Sequence, residues 1–447
     1  MTTGKEIRWR EQVWVIALLV VVAAGAYLRF VAVDTTEVDD PLRADAGEYV
    51  AYTYNLARFG VYSRERTFRQ ADARAPAPDA LRSPAYPVFL MPLLAGGEPD
   101  AKFVRRAGFA QALIGLLCVP LVFRLARFWC GTSIALIPAA FVALSPHQVS
   151  FSTLLLTETL STLLVLLAAL AIVFAARARG GSGWRWGLVG LLLGLASLTR
   201  PTLQYFVLAV AIVALVSLGR TVGLRVAILA VTGFALVYAP WLLRNWNTLG
   251  FSSDPTLMIS TIHHGSYPGF MYQGRRETFE FPYRYDPASA EISRDLASVT
   301  AHVRRQFELD ATAMTWWYLI GKPLAFFSWR VGQSRDPVLQ YPVLRSPLRE
   351  RIEFKLTERL VYALHIPLVV FGLAGFALAT WRRARDPAAS ESGLPLLGLM
   401  ILYAIAVHVI GAPFGRYNVP FMPLIAVSAA YLVEYAVRHT QASAARQ

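Results

Sequence analysis

The sequence predicts an all-α polytopic membrane protein with about ten transmembrane helices, interfacial helices in a first outer loop, and a second long outer loop. Three observations predict it. Of 447 residues, 55% are hydrophobic and only 16% charged, whereas soluble domains carry roughly a quarter charged residues. Apolar runs near the ~20 residues that a crossing helix needs recur at 13–33, 106–124, 133–150, 153–175, 186–200, 202–219, 225–243, 360–380, 394–412 and 417–437. The links between the runs alternate between short Arg-rich segments and segments of mixed charge.

The short basic links come first. They hold Lys5, Arg8 and Arg10, then Arg124 and Arg127, then Arg177, Arg179 and Arg185, then Arg220 and Arg225. Arg382, Arg383 and Arg385 follow, and finally Arg438 and Arg446. Basic residues in short loops mark the cytoplasmic side. Ten spans therefore put both termini in the cytoplasm of a cell whose inner (plasma) membrane the chain crosses repeatedly. The net charge of +14 is then a topology signal, and no nucleic-acid partner is called for. The two cysteines, Cys118 and Cys130, sit in and just beyond one apolar run and read as structural.

The outer links are different. Residues 34–105 and 245–359 mix acids with bases and are rich in Tyr, Trp, Pro and Gly. The chain divides accordingly into a membrane module at 1–244 that includes the first outer loop, an outer region at 245–359, and C-terminal spans with a short tail at 360–447. Two apolar stretches, "SPAYPVFLMPLLAGG" and "TAMTWWYLIGKPLAFFSW", are too short, too rich in proline or too aromatic to cross. Both read as interfacial helices.

The sharpest local signal is "LRADAGEYVAYTYNLARFG", residues 42–60. On a helix, Asp45, Glu48, Tyr49, Tyr52 and Leu56 share one face. Asp45 reads either as a helix cap, with Glu48 a favourable first-turn acid, or as a general base for a hydroxyl acceptor at the membrane surface. Glu158, near the outer start of a span, reads either as an interfacial acid paired with an arginine or as part of the same outer cavity, facing a metal or the acceptor. Arg82, Arg200, Arg244, Lys322, Arg330 and Arg416 lie in the outer corners. They suit either a leaving phosphate or lipid headgroups. Trp316, Trp317, Phe326, Phe327 and Trp329 flank Lys322 and suit a helix against which a prenyl chain lies. His263 and His264 have no matching His or Cys set nearby; Asp or Glu could complete a metal site, and otherwise the pair reads as sugar- or phosphate-facing, or as loop packing.

Several motifs occur in order: Asp45-Ala46-Gly47-Glu48-Tyr49, Gly60-Val61-Tyr62-Ser63, Arg82-Ser83-Pro84-Ala85-Tyr86-Pro87, "LLLTETL" with Glu158, "LTRPT" with Arg200, "APWLLRNW" with Arg244, and "GRYNVPFMPL" with Arg416 and Tyr417. In these the chain resembles the GT-C integral-membrane glycosyltransferases, in the protein-mannosyltransferase and aminoarabinose-transferase-like (family 39-type) branch. Members often carry two adjacent acids where this chain has Asp45-Ala46 and then Glu48. The resemblance implies an inverting transfer of a monosaccharide from a polyprenyl-phosphate donor to a hydroxyl acceptor at the outer face. Asp45, Glu48 and Glu158 would be the acids of the site. Arg82, Arg200, Arg244, Lys322 and Arg416 would hold the donor phosphate, and Tyr49, Tyr86, His263, His264 and Tyr417 would line the substrate path.

The implied partners are a polyprenyl-phosphate-linked sugar, membrane lipids, and a glycan, lipid or protein acceptor. No cofactor is required, and a divalent cation is the one addition the acids allow. Neither GxxxxGK[ST] nor GxGxxG between strand and helix occurs, which argues against a nucleotide-sugar donor. Two alternatives stay open. A lipid-linked oligosaccharide ligase would use a diphosphate donor. A lipid-linked sugar transporter or flippase would be expected to show an internal repeat and polar residues at mid-membrane depth.

Overall fold

A computed structural model describes residues 4–70, 74–178, 183–332, 336–386 and 391–444. Arg179 and Arg446 of the basic links lie outside the described residues. The first half contains α1 (Gly4–Thr35), α2 (Ala44–Phe59), α3 (Ala85–Leu94), α4 (Ala101–Ala126), α5 (Thr132–Leu144), α6 (Pro146–Ser150), α7 (Glu158–Ala176), α8 (Trp184–Thr199), α9 (Phe206–Ser217) and α10 (Arg220–Leu249). The outer region carries α11 (Thr256–Gly265), α12 (Ser289–Ile292), α13 (Leu296–Leu309), α14 (Ala311–Trp316), α15 (Lys322–Phe326) and α16 (Pro347–Glu350). Three long helices close the chain: α17 (Ile352–Arg385), α18 (Leu394–Ile410) and α19 (Met422–Ala444).

An apolar helix lies at each of the ten runs read from the sequence. Among the described residues, α1, α4, α7, α10 and α17 are each long and apolar enough to cross a membrane, and α5 with the segment Pro146–Thr153, bent by 45°, is a sixth where the pair is counted as one span. Pro146 causes the bend: the residue before a proline is pushed out of the helical region, and Ser145 has ψ 120°. Its hydroxyl then caps the new helix by accepting from Gln148 N. The break strands the last carbonyls of α5, and Arg29 of α1 takes them up. Its Nη1 donates to Ala143 O at 2.9 Å and its Nη2 to Val142 O at 2.7 Å. The run read as 153–175 becomes helical only at Glu158, after a turn at Phe151–Thr153.

Glycines let α8 and α10 pack backbone to backbone, as small residues do between membrane helices. A Cβ on Gly233 would sit 2.0 Å from Gly187 O, and one on Gly190 would sit 1.8 Å from Ala230 O. Gly233→Val is therefore expected to cost about 1–3 kcal/mol, the usual penalty of overpacking. A lowered melting temperature of the detergent-solubilised protein is the measurement.

Described parts of several basic links meet at one end of the bundle. There Arg177 Nη2 donates to Phe128 O, Arg382 pairs with Glu391 at 2.6 Å, and Glu391 also accepts from Tyr431. The opposite end carries α2, α3 and the outer region. A short antiparallel ribbon ties the two outer segments together: β1 (Glu37–Val38) pairs with β2 (Val343–Arg345).

Candidate active site

The helix read from residues 42–60 forms, and its first turn builds the site. It starts at Ala44 with no side-chain cap, so Asp45 is not a helix cap. Asp45 Oδ1 instead accepts from Arg82 Nη2 at 2.8 Å, and Oδ2 accepts from Arg416 Nη2 at 2.7 Å. Arg82 Nε also donates to Glu48 Oε2 at 2.7 Å, three residues along the same face. One carboxylate thus holds two guanidiniums that arrive from opposite ends of the sequence.

Each arginine is held by its own element. The chain before Pro84 is anchored where Tyr62 OH donates to Arg82 O at 3.0 Å. Tyr62 stacks on Tyr52 at 4.1 Å, and the Tyr52 hydroxyl donates to Asp79. Arg416 rides on the 3₁₀ turn Gly415–Asn418. Gly415 is required there, because a Cβ would lie 2.2 Å from Arg330 O. Burial by itself would raise the Asp45 carboxyl. The Arg416 and Arg82 guanidiniums outweigh it and hold the group well below the usual carboxylate range. Asp45 keeps 22% side-chain exposure and each arginine 14%, so a ligand can reach all three.

A second pair lies behind the first. Arg200, at the end of α8, approaches Glu158, at the start of α7, to 2.8 Å. The contact is an ion pair rather than an aligned hydrogen bond, and Glu158 Oε2 has no hydrogen-bond partner among the described residues. Tyr417 joins the two pairs, with Arg200 at 4.8 Å and Arg416 at 5.2 Å from its ring centroid. Tyr49 lies beneath Arg82 at 5.6 Å. Tyr86 packs edge-on to Tyr49 at 5.1 Å. It is fully buried and donates to Gln111 Oε1 at 2.9 Å. Tyr86 therefore supports the floor of the site and does not face a substrate.

Four of the sequence assignments fall outside this cluster. Lys322 is fully buried; its ammonium donates to Val409 O at 2.7 Å and Gly411 O at 2.9 Å. It caps the C-terminal carbonyls at the end of α18, which corrects its assignment to phosphate. Arg244 donates to Asp79 O at 2.8 Å and Tyr62 O at 3.3 Å, and so pins the first outer loop beside the site. His263 is buried and bonded to Tyr267 OH at 2.8 Å, which donates to Asp286 at 2.6 Å. His264 packs among Phe270, Tyr283 and Phe414. Desolvation pushes both histidines down to about 4, and neither lines the cavity beside Asp45.

A cavity of about 260 Å³ opens beside Asp45 and Arg416. Its far wall comes from the outer region and includes Phe270, Glu280, Trp317 and Tyr341. Sequence reading missed Glu280 and Tyr341. Neither carries a periodic or motif signal, and only the fold of the outer region brings them to the cavity.

Among the described residues, no group of three His, Cys, Asp or Glu could hold a metal ion. Both oxygens of Asp45 are engaged by guanidiniums and Glu158 faces Arg200. Hard divalent cations require several free oxygen ligands, and this donor set does not fit one.

Residues 104–244 match the family described as dolichyl-phosphate-mannose-protein mannosyltransferase. The sequence matches no curated protein. Among solved structures, the archaeal oligosaccharyltransferase AglB from Archaeoglobus fulgidus, in complex with an inhibitory peptide and a dolichol-phosphate, matches at TM-score 0.54 and 14% identity over 98% of this chain and 52% of that one. The same organism's oligosaccharyltransferase in complex with Zn and sulfate matches at TM-score 0.52 and 17% identity, over 95% and 49%. ArnT from Cupriavidus metallidurans bound to undecaprenyl phosphate gives a TM-score of 0.46 at 15% identity, over 94% and 60%. The chain spans about half the length of the oligosaccharyltransferases it matches. It is thus a multi-pass membrane protein with the GT-C glycosyltransferase fold, and its residues 104–244 carry the pattern of the dolichyl-phosphate-mannose-protein mannosyltransferase family.

Proposed function

We propose that the protein is an inverting glycosyltransferase that moves a monosaccharide from a polyprenyl-phosphate donor to a hydroxyl acceptor at the outer face of the plasma membrane. The observation that carries this reading is the clamp of Arg82 and Arg416 on one accessible carboxylate at the mouth of a cavity. Two guanidiniums in this arrangement suit phosphate oxygens as well as a carboxylate. The dolichol-phosphate bound to AglB supports a lipid phosphate as the group that competes for them.

The arriving phosphate draws Arg82 and Arg416 toward itself, and the loosened Asp45 becomes a better base. Asp45 then takes the proton of the acceptor hydroxyl while its oxygen bonds to the anomeric carbon. The bond from that carbon to the phosphate oxygen breaks on the opposite side, and the electron pair leaves with polyprenyl phosphate. Glu48 keeps Arg82 oriented, and Tyr417 with the Glu158–Arg200 pair braces Arg416. A cavity of about 260 Å³ favours a single sugar over the oligosaccharide of a ligase. The polar cluster lies at one end of the bundle, which counts against a transporter.

The test compares wild type with Asp45→Asn in membranes supplied with labelled polyprenyl-phosphate sugars. Wild type is expected to release polyprenyl phosphate from one of them, and the Asn variant to do so about 10²–10⁴-fold more slowly, as loss of a general base predicts. Equal rates would move the base elsewhere. Label that changes leaflet without donor consumption would make the protein a transporter.

A further inference from the structure

The outer wall of the cavity holds an acid that the mechanism above does not use. Glu280 lines the cavity together with Asp45 and Arg416. Among the described residues the charge that acts on its carboxylate is Arg330, which lines the same cavity. Its neighbour Glu277 behaves as an ordinary surface acid, exposed and 3.9 Å from Arg275. Burial raises the Glu280 carboxyl above its ordinary value, with Arg330 pulling the other way. A half-buried carboxylate is costly to keep without a hydrogen-bonded partner, and this one lines the cavity that opens beside Asp45.

The backbone tells the same story. Five non-glycine residues among those described have left-handed φ: Ala44, Ala95, Phe270, Gln273 and Glu280. Three of them, Ala44, Phe270 and Glu280, line this one cavity. Left-handed backbone is unfavourable for residues with a Cβ, and it persists where surrounding contacts over-determine it. Those contacts are present. Glu280 N donates to Phe270 O at 3.1 Å, and Thr278 Oγ1 accepts from Tyr272 N at 2.9 Å. Phe270 stacks on Phe414 at 5.0 Å and meets Trp317 edge-on at 5.3 Å. The loop is braced so that the Glu280 carboxylate stays where a glycine would be the easier residue.

We infer that Glu280 is an acceptor-binding residue, whose carboxylate accepts a hydrogen bond from a hydroxyl-bearing acceptor and holds it against the sugar presented by the Arg82–Arg416 clamp. This inference rests on the glycosyl-transfer reading above. The acceptor is favoured over the donor for two reasons. A carboxylate repels the donor phosphate, and an apolar prenyl chain offers it nothing. The loop also belongs to the outer region, across the cavity from Asp45 and Arg416.

The test uses purified full-length protein in lipid nanodiscs, the labelled donor that wild type consumes, and an envelope extract of the expressing cells at graded concentrations as acceptor. Glu280→Gln is expected to raise the extract concentration for half-maximal transfer about tenfold or more, as loss of a charge-assisted hydrogen bond predicts. The KM for donor should stay within about twofold, which is under a third of the tenfold step per 1.4 kcal/mol. Glu280→Gly should lose acceptor affinity in the same way while its melting temperature holds or rises, because glycine relieves the left-handed backbone. Loss of affinity without loss of stability is a result that a purely structural residue would not give. Glu277→Gln should change neither quantity.

Acceptor dependence unchanged in both Glu280 variants overturns the inference. So does a donor KM that rises in step, which would turn the carboxylate toward the transferred sugar. If wild type consumes no polyprenyl-phosphate sugar at all, the glycosyl-transfer reading fails and this inference falls with it. That failure is visible before any variant is compared.

Discussion

Arg416→Ala is expected to slow release of polyprenyl phosphate by about 10²–10³-fold, the usual cost of removing one preorganised group that stabilises developing charge. Arg416 and Arg82 hold opposite oxygens of one carboxylate, so their losses should not add. The Arg82→Ala/Arg416→Ala double variant is expected to fall short of the product of the single effects. The pH profile supplies a second readout. With both arginines in place, Asp45 is held below the usual carboxylate range and remains ionised well into acid. Without Arg416 the desolvation of the group is less opposed, and its proton affinity rises. Because the base must be ionised, the residual activity of Arg416→Ala should fall on acidification at a higher pH than that of wild type. Rates measured over roughly pH 4–8, the range that spans a carboxylate from its ordinary value upward, decide the point. Coincident acid limbs would show that Arg416 does not act through Asp45.

The second large effect is on stability. Arg29→Met is expected to destabilise the protein by about 3 kcal/mol or more, because two buried carbonyls lose their donors at about 1–3 kcal/mol each. Arg29 is fully buried within the bundle, and the carbonyls it serves are those left open where α5 breaks before Pro146. Water cannot easily replace it inside a membrane. A lower melting temperature, with unchanged donor turnover per folded molecule, is the expected pair of results. Arg29→Lys should recover part of the stability, since a single ammonium can still donate to both oxygens but lacks the guanidinium's fixed fork.

Much of this was legible in the sequence, and the reasons differ from residue to residue. The first turn of α2 was readable because Asp45, Glu48 and Tyr49 follow helical spacing, and that face does meet the arginines. The pairing with Arg416 spans 371 residues; no local pattern carries such a contact, and only the order of motifs hinted at it. Lys322 was misread because aromatic neighbours surround an interfacial lysine and a buried one alike. What decides between them is the end of α18, 87 residues further on. The bend in the third run was written in Ser145-Pro146, but hydropathy averages over it. Glu280 had no signal at all, since irregular loops put residues together by tertiary contact and not by period.

The short helices α8 and α9 have a consequence for the lipid around them. Gly183, just before α8, meets Arg225 of the parallel α10, and Gly194 of α8 meets Val237, so the helix register carries the end of α8 to about the level of residue 242. α10 runs on to Leu249, roughly 10 Å further at 1.5 Å per residue. The corner at Arg200 is therefore a step cut below the tip of its neighbour, and α9 beyond it has only 12 residues. Even taken with the turn before it, as Pro201–Ser217, the helix is shorter at 1.5 Å per residue than hydrocarbon about 30 Å thick. Lipids beside α9 are then expected to thin, or residues flanking it to snorkel, and a thinned bilayer would bring headgroups toward the polar cluster.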